Sequence, residues 1–424
     1  MQVHGVTRVP GDKSISHRVL LAAALARGTS RIDGLLVAED VQSTARVLRQ
    51  LGPAVSRLVP GRDVSVRGAR FRSPRQTLHC GNSGTTARLV LGAIAGSSVR
   101  ARLTGDASLR RRPMRRVIDP LRAMGAVLAA DEAGTLPVAV RSSGLHAFTY
   151  SSPIASAQVK SAILFAALAA RVPVTVTEPR RSRDHTERLF VHLGLDLRDS
   201  NGAVSYQPAQ DDLPPFQVAI PGDLSSAAFL VGAAVLAEGG ELLIEGVGVN
   251  PTRTGFLSVL ERMGAHVERF NLGAMGGEPV ADLLARPAAL TGTEVVADEI
   301  PSLIDEVPLL AVLASRATGE TVFRGVSELR VKESDRLSLI AGNLRALGGI
   351  AEVRGDDLYV RGSESRPRGR VVTAGDHRLA MAFAVLGTIP GAAVRLSERR
   401  SVAVSYPRFF HTLQAIGRAP RHRD

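Results

Sequence analysis

Six polar clusters, each opening an apolar run of helical length, hold the residues of this chain best placed to do chemistry. They are Gly11-Asp12-Lys13-Ser14, Gly81-Asn82-Ser83-Gly84-Thr85, Ser156-Ala157-Gln158-Val159-Lys160, Gly222-Asp223-Leu224-Ser225-Ser226, Ile304-Asp305-Glu306 and Gly375-Asp376-His377-Arg378. From Lys13 through Asn82, Ser156, Asp223 and Asp305 to Asp376 the steps are 69, 74, 67, 82 and 71 residues. A helix N-terminus presents unpaired N–H groups and a partial positive charge, and so favours anions. Capping explains the Asp, Asn and Ser, and for any one cluster a cap is a sufficient reading. It does not explain Lys13, Arg18, Arg112, Lys332, Arg336 and Arg378. A cation at a helix start opposes the dipole by about 0.3–1 kcal/mol. That cost, repeated at corresponding places, points to a polyanionic ligand.

The cations are also unusual in kind. Of 53 Lys+Arg only Lys13, Lys160 and Lys332 are lysine. Positions that tolerate Arg have taken it. A surviving Lys marks either chance or a need for a compact ammonium that can lose its proton.

The elements that must position these residues recur with the same period. Leu/Phe-x-x-(Leu/Met/Ile)-Gly ends at Gly52, Gly125, Gly194, Gly264, Gly348 and Gly417, spaced 73, 69, 70, 84 and 69 residues apart. Each glycine reads as the C′ residue closing a helix before a strand. A second helix starts in each unit near Glu39-Asp40, Arg112-Pro113, Ser182-Arg183-Asp184, Asn250-Pro251-Thr252, Lys332-Glu333-Ser334 and Ser405-Tyr406-Pro407. Strand-like stretches follow, such as Val138-Ala-Val-Arg141 and Leu358-Tyr-Val-Arg361. Each unit therefore reads as βαβαββ, and the class is α/β. The first helices, for example Ala162–Ala170 and Ala227–Ala237, are apolar almost all round and are expected to be buried.

Pro-Gly-Asp-x-Ser occurs at Pro10 and again at Pro221, half the chain apart, which divides six repeats into three and three. The length of 424 residues agrees, since single cores stop growing near about 250–300 residues. The expected lobes are 11–222, and 1–10 plus 223–424, with a hinge near 10–12 and 221–224. Parallel first helices would turn their N-termini toward an interlobe cleft. One Cys forbids an internal disulfide and suits a reducing cytoplasm. No secretory signal and no apolar run long enough for a membrane span is visible, so a cytoplasmic location and no membrane partner are expected. The formal charge of +13 raises nucleic-acid binding, but 16 Phe+Tyr and no Trp leave few stacking platforms. No nucleic-acid partner is expected, and Arg418–Asp424 reads as a solvated end.

Other catalytic motifs fail on spacing. Lys13-Ser14 looks like the end of a Walker A loop, but Asp12 occupies its glycine position. No Gly-x-Gly-x-x-Gly opens a helix after a strand, and no Gly-x-Ser-x-Gly elbow occurs. Neither His-Glu-x-x-His nor paired Cys is present, and His185-Thr-Glu187 reads as a helix start rather than a metal site. Cys80 reads as a buried structural thiol.

Pro10-Gly-Asp-Lys-Ser-Ile-Ser-His-Arg18, Gly81-Asn-Ser-Gly-Thr85, Arg112-Pro113-Met114, Arg330-Val-Lys-Glu-Ser-Asp-Arg336 and Gly375-Asp-His-Arg378 resemble the 5-enolpyruvylshikimate-3-phosphate (EPSP) synthase family over essentially the whole chain. The resemblance implies a two-lobed inside-out α/β barrel, three βαβαββ repeats per lobe, with the active site in the interlobe cleft. It implies transfer of the enolpyruvyl group of phosphoenolpyruvate to the 5-hydroxyl of shikimate 3-phosphate, releasing phosphate, on the route to chorismate and the aromatic amino acids. No cofactor and no metal are implied, and a monomer is expected. The same-fold rival, the transferase acting on UDP-N-acetylglucosamine, usually carries a reactive Cys in the loop corresponding to 106–112, where this chain has none.

Carried over by motif, the resemblance places shikimate 3-phosphate on Lys13, Ser14, Arg18, Ser156, Gln158, Asp305 and Lys332. Phosphoenolpyruvate falls to Lys13, Gly84, Arg112, Gln158, Arg336 and Arg378, whose guanidinium forks suit its phosphate and carboxylate. Asp305 matches the proton acceptor, and Lys13 with Glu333 are candidates for proton transfers at the methylene carbon. Asp376 and His377 are expected to orient Arg378, and Asn82 to shape its loop. Ser156-Ala-Gln-Val-Lys160, Arg183-Asp-His-Thr-Glu187 and Asn250-Pro-Thr-Arg253 resemble the family's second, often glyphosate-tolerant class, which makes Arg183 an added contact to the shikimate phosphate. Lys160 is left between that site and a structural ion pair. Val404 stands where the first class has a phosphoenolpyruvate-binding Lys, so that contact is missing. Gly84 is the small residue associated with sensitivity, so the site is expected to accept glyphosate.

Overall fold

The computed structural model describes residues 1–141, 144–200 and 202–417. The basic tail Arg418–Asp424 lies outside the described residues. Two compact units emerge. One comprises Gly11–Pro221 with Ala274–Glu278; the other comprises Met1–Pro10, Gly222–Gly273 and Pro279–Asp424. The chain passes between them at Pro10–Gly11 and Pro221–Gly222. The expected division at 222/223 differs by one residue, and it did not anticipate that Ala274–Glu278 belongs to the unit of Gly11–Pro221.

The first unit holds three four-stranded sheets of one pattern, a parallel pair followed by an antiparallel pair. The second sheet runs Leu78–His79, Arg100–Thr104, Val138–Arg141, Val127–Ala129. The third runs Phe148–Ser151, Val174–Thr177, Ala203–Gln207, Asp196–Ser200. The first contains Gly28–Asp33, Val64–Gly68 and Ala54–Val55, but its outer parallel strand is Gln217–Ala219, from the far end of the unit.

The second unit repeats this device. Its first sheet takes Val6–Arg8 as the parallel partner of Leu242–Gly248. Its second runs Glu294–Val295, Glu320–Phe323, Asp357–Arg361, Ile350–Arg354. Its third has only the parallel pair Arg368–Val371 and Ala393–Leu396 among the described residues. The βαβαββ reading therefore holds for the second, third and fifth repeats, while the sixth lacks the antiparallel pair among the described residues. In the first repeat of each unit the leading strand is supplied from elsewhere in the chain.

The starts of the first helices follow the local signals, whereas four second helices begin two or three residues beyond the expected openings, at Arg115, Gly255, Arg336 and Phe409. The first helices are Lys13–Leu25, Gly84–Ala95, Ala157–Ala170, Leu224–Val235, Val307–Ala314 and His377–Leu386. Leu224–Val235 and Val307–Ala314 are buried at every position, because each lies inside its unit beneath the sheets. Gly92 lets the Gly84–Ala95 and Ala157–Ala170 helices approach closely; a Cβ there would stand 2.1 Å from the Ala162 carbonyl oxygen. Of the six helix-closing glycines, Gly52, Gly125, Gly194, Gly264 and Gly348 have φ between 77° and 120°, the left-handed cap that only glycine adopts cheaply. Gly417 does not: its φ is −92°, so the sixth helix ends without that cap.

Candidate functional site

In the first unit the site begins at the Lys13–Leu25 helix. Asp12 caps it, its carboxylate accepting from Ile15 N–H at 2.9 Å, which places Lys13 in the first turn. The Lys13 ammonium pairs with the Asp40 carboxylate, from the start of Glu39–Leu51. Arg18 is 2% exposed one turn further on. Its guanidinium donates to the Ser14 carbonyl at 2.9 Å, to Thr186 Oγ1 at 2.8 Å and to Ser161 Oγ at 2.8 Å. Burial lowers Arg18 to about 10, against the pull of Glu187 and Asp12, while Arg183 adds like-charge repulsion. His17, between Lys13 and Arg18, shares a 2.6 Å hydrogen bond with Thr44 Oγ1. Burial, then the charges of Lys13 and Arg18, hold it neutral.

The Gly84–Ala95 helix supplies the neighbouring group. Ser83 Oγ caps it, accepting from Thr86 N–H at 3.1 Å. Thr86 Oγ1 lies 2.8 Å from Ser83 Oγ and 2.7 Å from Thr44 Oγ1, which ties this helix start to the helix that carries Asp40, the partner of Lys13. Arg112 directs Nη2 at Asn82 Oδ1, 2.5 Å away. Asn82 therefore holds the arginine. Gln158 donates to Thr85 Oγ1 at 3.1 Å and accepts from Arg88 Nη1 at 3.0 Å. Arg88 also donates to the Pro113 carbonyl at 3.0 Å. Sequence reasoning missed Arg88; a cation four residues into an otherwise apolar helix was the available signal. Ser156 precedes Ala157–Ala170 and its hydroxyl makes no capping bond, while its N–H donates to Glu178 Oε1 at 2.8 Å.

Lys160 is decided here in favour of an ion pair. Its ammonium lies 2.7 Å from Glu178 Oε2 and 2.7 Å from Glu187 Oε1. Burial alone would lower its pKa, but the two carboxylates outweigh burial and raise it.

In the second unit the cluster centres on Asp305, between the short helix Ile300–Leu303 and Val307–Ala314. The cap position of the longer helix falls to Glu306, and Asp305 turns its carboxylate to arginines instead. Arg336 Nη1 is 3.5 Å away, Arg378 Nη2 3.6 Å and Arg253 Nη1 3.8 Å. Arg336, 1% exposed, begins Arg336–Ala346. It donates from Nε to Asp376 Oδ2 at 2.7 Å and from Nη2 to Glu333 Oε2 at 2.5 Å. Burial would lower its pKa, but Asp376, Glu333 and Asp305 overcome burial and raise it. Asp376 thus grips the Arg336 guanidinium, and meets Arg378 only through that residue's backbone N–H, at 2.9 Å.

Arg378 donates to the Asp305 carbonyl and to Ser225 Oγ, both at 3.1 Å. Ser225 also donates to Glu306, which lies 3.3 Å from Arg253 Nη2. Arg253, Glu306 and Ser225 are contributors that sequence reasoning did not assign. Lys332 lies 3.6 Å from Glu328, with 24% of its side chain exposed. Desolvation lowers its pKa; Glu328 and Asp305 pull upward and Arg336 pushes down. Among the described residues no group of His, Cys, Asp and Glu could hold a metal ion, and no helix is long and apolar enough to cross a membrane.

Two units of sheet-covered helices, with buried arginines and carboxylates at the helix starts, define an anion-handling α/β protein. The fold is that of the enolpyruvyl transferase NikO from Streptomyces tendae, with a TM-score of 0.78, 20% identity, and 98% of this chain and 95% of that one covered. An EPSP synthase from Acinetobacter baumannii matches with a TM-score of 0.86 and 37% identity, covering 98% and 96%. The 3-phosphoshikimate 1-carboxyvinyltransferase of Thermus thermophilus is 50% identical over 413 residues, 97% of this chain and 96% of that protein. The family model for EPSP synthase (3-phosphoshikimate 1-carboxyvinyltransferase) matches residues 1–413. The chain belongs to the EPSP synthase family, transferases of the shikimate route to chorismate and the aromatic amino acids that use shikimate 3-phosphate and phosphoenolpyruvate. These matches do not favour the UDP-N-acetylglucosamine rival.

Proposed function

We propose that Asp305 is the base of the enolpyruvyl transfer and that the cations gathered at the helix starts neutralise the two polyanionic substrates. Shikimate 3-phosphate falls to Lys13, Ser14, Arg18, Ser156, Gln158, Arg183 and Lys332, and phosphoenolpyruvate to Lys13, Gly84, Arg112, Gln158, Arg336 and Arg378. Asp305 takes the proton of the 5-hydroxyl as that oxygen attacks C2 of phosphoenolpyruvate, and C3 gains a proton to give the tetrahedral intermediate. Loss of a C3 proton with departure of phosphate completes the transfer. Lys13 and Glu333 handle the C3 protons. The cations stabilise the charge that builds up in between.

The observation that carries this reading is the setting of Asp305. Arg253, Arg336 and Arg378 stand 3.5–3.8 Å from its carboxylate, so three cations face this one acid. It is the one acid of this helix start on which three guanidinium groups converge, where a carboxylate can accept a substrate proton beside bound anions. Membership of the second class, acceptance of glyphosate, a cytoplasmic monomer and the lack of nucleic-acid or membrane partners belong to the same proposal. Their support is the three class motifs, Gly84, and the pairing of many cations within each unit. The test is phosphate release that requires both substrates, with Asp305→Ala binding both and turning over slowly. Turnover of Asp305→Ala at the native rate would remove Asp305 from the mechanism.

A further inference from the structure

Lys160 is 2% exposed, yet it carries a charge and faces two carboxylates. Three elements meet at its ammonium: its own helix Ala157–Ala170, Glu178 just beyond the strand Val174–Thr177, and Glu187 in the helix His185–His192. A buried ion cluster contributes little net stability, because desolvation offsets most of the attraction. Its connections suggest another use. The second oxygen of Glu178 accepts the Ser156 N–H at 2.8 Å, and Ser182 Oγ donates to the same carboxylate at 2.8 Å. One residue along from Lys160 is Ser161; one residue before Glu187 is Thr186. These two hydroxyls lie 2.7 Å apart and accept from the Arg18 guanidinium. The ion cluster is therefore one residue along the chain from each hydroxyl that holds Arg18, and through Glu178 it holds the backbone N–H of Ser156.

We propose that Lys160, Glu178 and Glu187 form a positioning triad that sets the Ser156–Gln158 helix start and the Arg18 guanidinium for the phosphate-bearing substrate. It rests on the assignment of Arg18, Ser156 and Gln158 to shikimate 3-phosphate. The triad needs lysine. A compact ammonium reaches two carboxylates at 2.7 Å inside a closed space, where the larger planar guanidinium would displace packed neighbours. This accounts for a lysine surviving in a chain whose other cations are nearly all arginine.

The experiment compares Glu178→Gln, Lys160→Arg and Arg18→Ala in the full chain. It measures calorimetric binding of shikimate 3-phosphate, steady-state kinetics with each substrate, and thermal melting. Both triad variants are expected to weaken shikimate 3-phosphate binding, and raise its KM, by about tenfold or more, the factor that 1.4 kcal/mol represents. kcat should stay within about threefold, since no reacting atom is touched. Lys160→Arg, which keeps the charge, should not restore affinity. If Arg18→Ala weakens binding while both triad variants bind like the native chain, or lose only melting temperature, the triad proposal falls. If Arg18→Ala itself binds normally, the assignment beneath the proposal fails, and the proposal with it. Should Lys160→Arg not fold, the isosteric Glu178→Gln decides alone.

Discussion

Gly84→Ala tests the geometry of the site. Gly84 is the first residue of its helix and its backbone is not in the left-handed region, so alanine adds no strain there. Helix propensity favours the change by up to about 1 kcal/mol. The added Cβ would stand 2.5 Å from Arg88 Nη1 and 3.5 Å from Arg112 Nη1. An ordinary contact begins near 3.4 Å, so Arg88 Nη1 must retreat by 3.4 − 2.5 = 0.9 Å. Arg88 Nη1 now donates to Gln158 Oε1 at 3.0 Å. Directed away from Gln158, a retreat of that size carries the pair beyond hydrogen-bonding distance. Loss of one charged hydrogen bond is worth about 1.5–3 kcal/mol, or about 10- to 150-fold. Steady-state phosphate release with phosphoenolpyruvate varied should show its KM raised by that factor. The inhibition constant for glyphosate should rise at least as much, and the melting temperature should fall by a few degrees, because the lost bond outweighs the gain in helix propensity. An unchanged KM would refute the reasoning.

Three further outcomes follow from the same geometry. Asp376→Ala removes the partner of the buried Arg336 Nε and should destabilise the fold by about 3–5 kcal/mol, read as a lowered denaturation midpoint. A loss below 1 kcal/mol would show that Glu333 and Asp305 hold Arg336 without it. His17 is kept neutral in the folded state, well below its usual 6.5, so below pH 6.5 the unfolded chain binds a proton that the folded chain does not. Stability should therefore fall as pH drops from 6.5, by up to about 1.4 kcal/mol per pH unit, and His17→Gln should flatten that slope in melts between pH 5 and 8. Cys80 is buried and its thiol is pushed up to about 12 by desolvation, so a thiol reagent at pH 8 should label it only after denaturation.

The helix starts and their periodicity were legible because caps and hydrophobic period are local. Asp12, Ser83, Asp223 and Asp376 each bond a backbone N–H two or three residues away. Five of the six closing glycines take the left-handed cap for a reason contained within one turn. The partners of the charges were not legible. Lys13 finds Asp40, Arg88 finds Gln158, and Arg253 stands beside Asp305, contacts that the repeat spacing does not announce. Expecting Asp376 to orient Arg378 was right only for the backbone; the carboxylate's guanidinium partner is Arg336, forty residues earlier.

The sequence by itself determined the sixfold α/β plan, the kind of chemistry its cations and carboxylates could do, and the family motifs that carry them. Tertiary structure decided which strand completes each first sheet. Gln217–Ala219 pairs with Gly28–Asp33, and Val6–Arg8 with Leu242–Gly248. It also decided that Lys160 is spent on two glutamates, one of which holds the backbone N–H of Ser156. The physical reason is range. Caps and periodicity act over a few residues, whereas the pairing of a strand edge or a buried charge depends on which distant segment packing brings alongside, and burial then makes that partner obligatory.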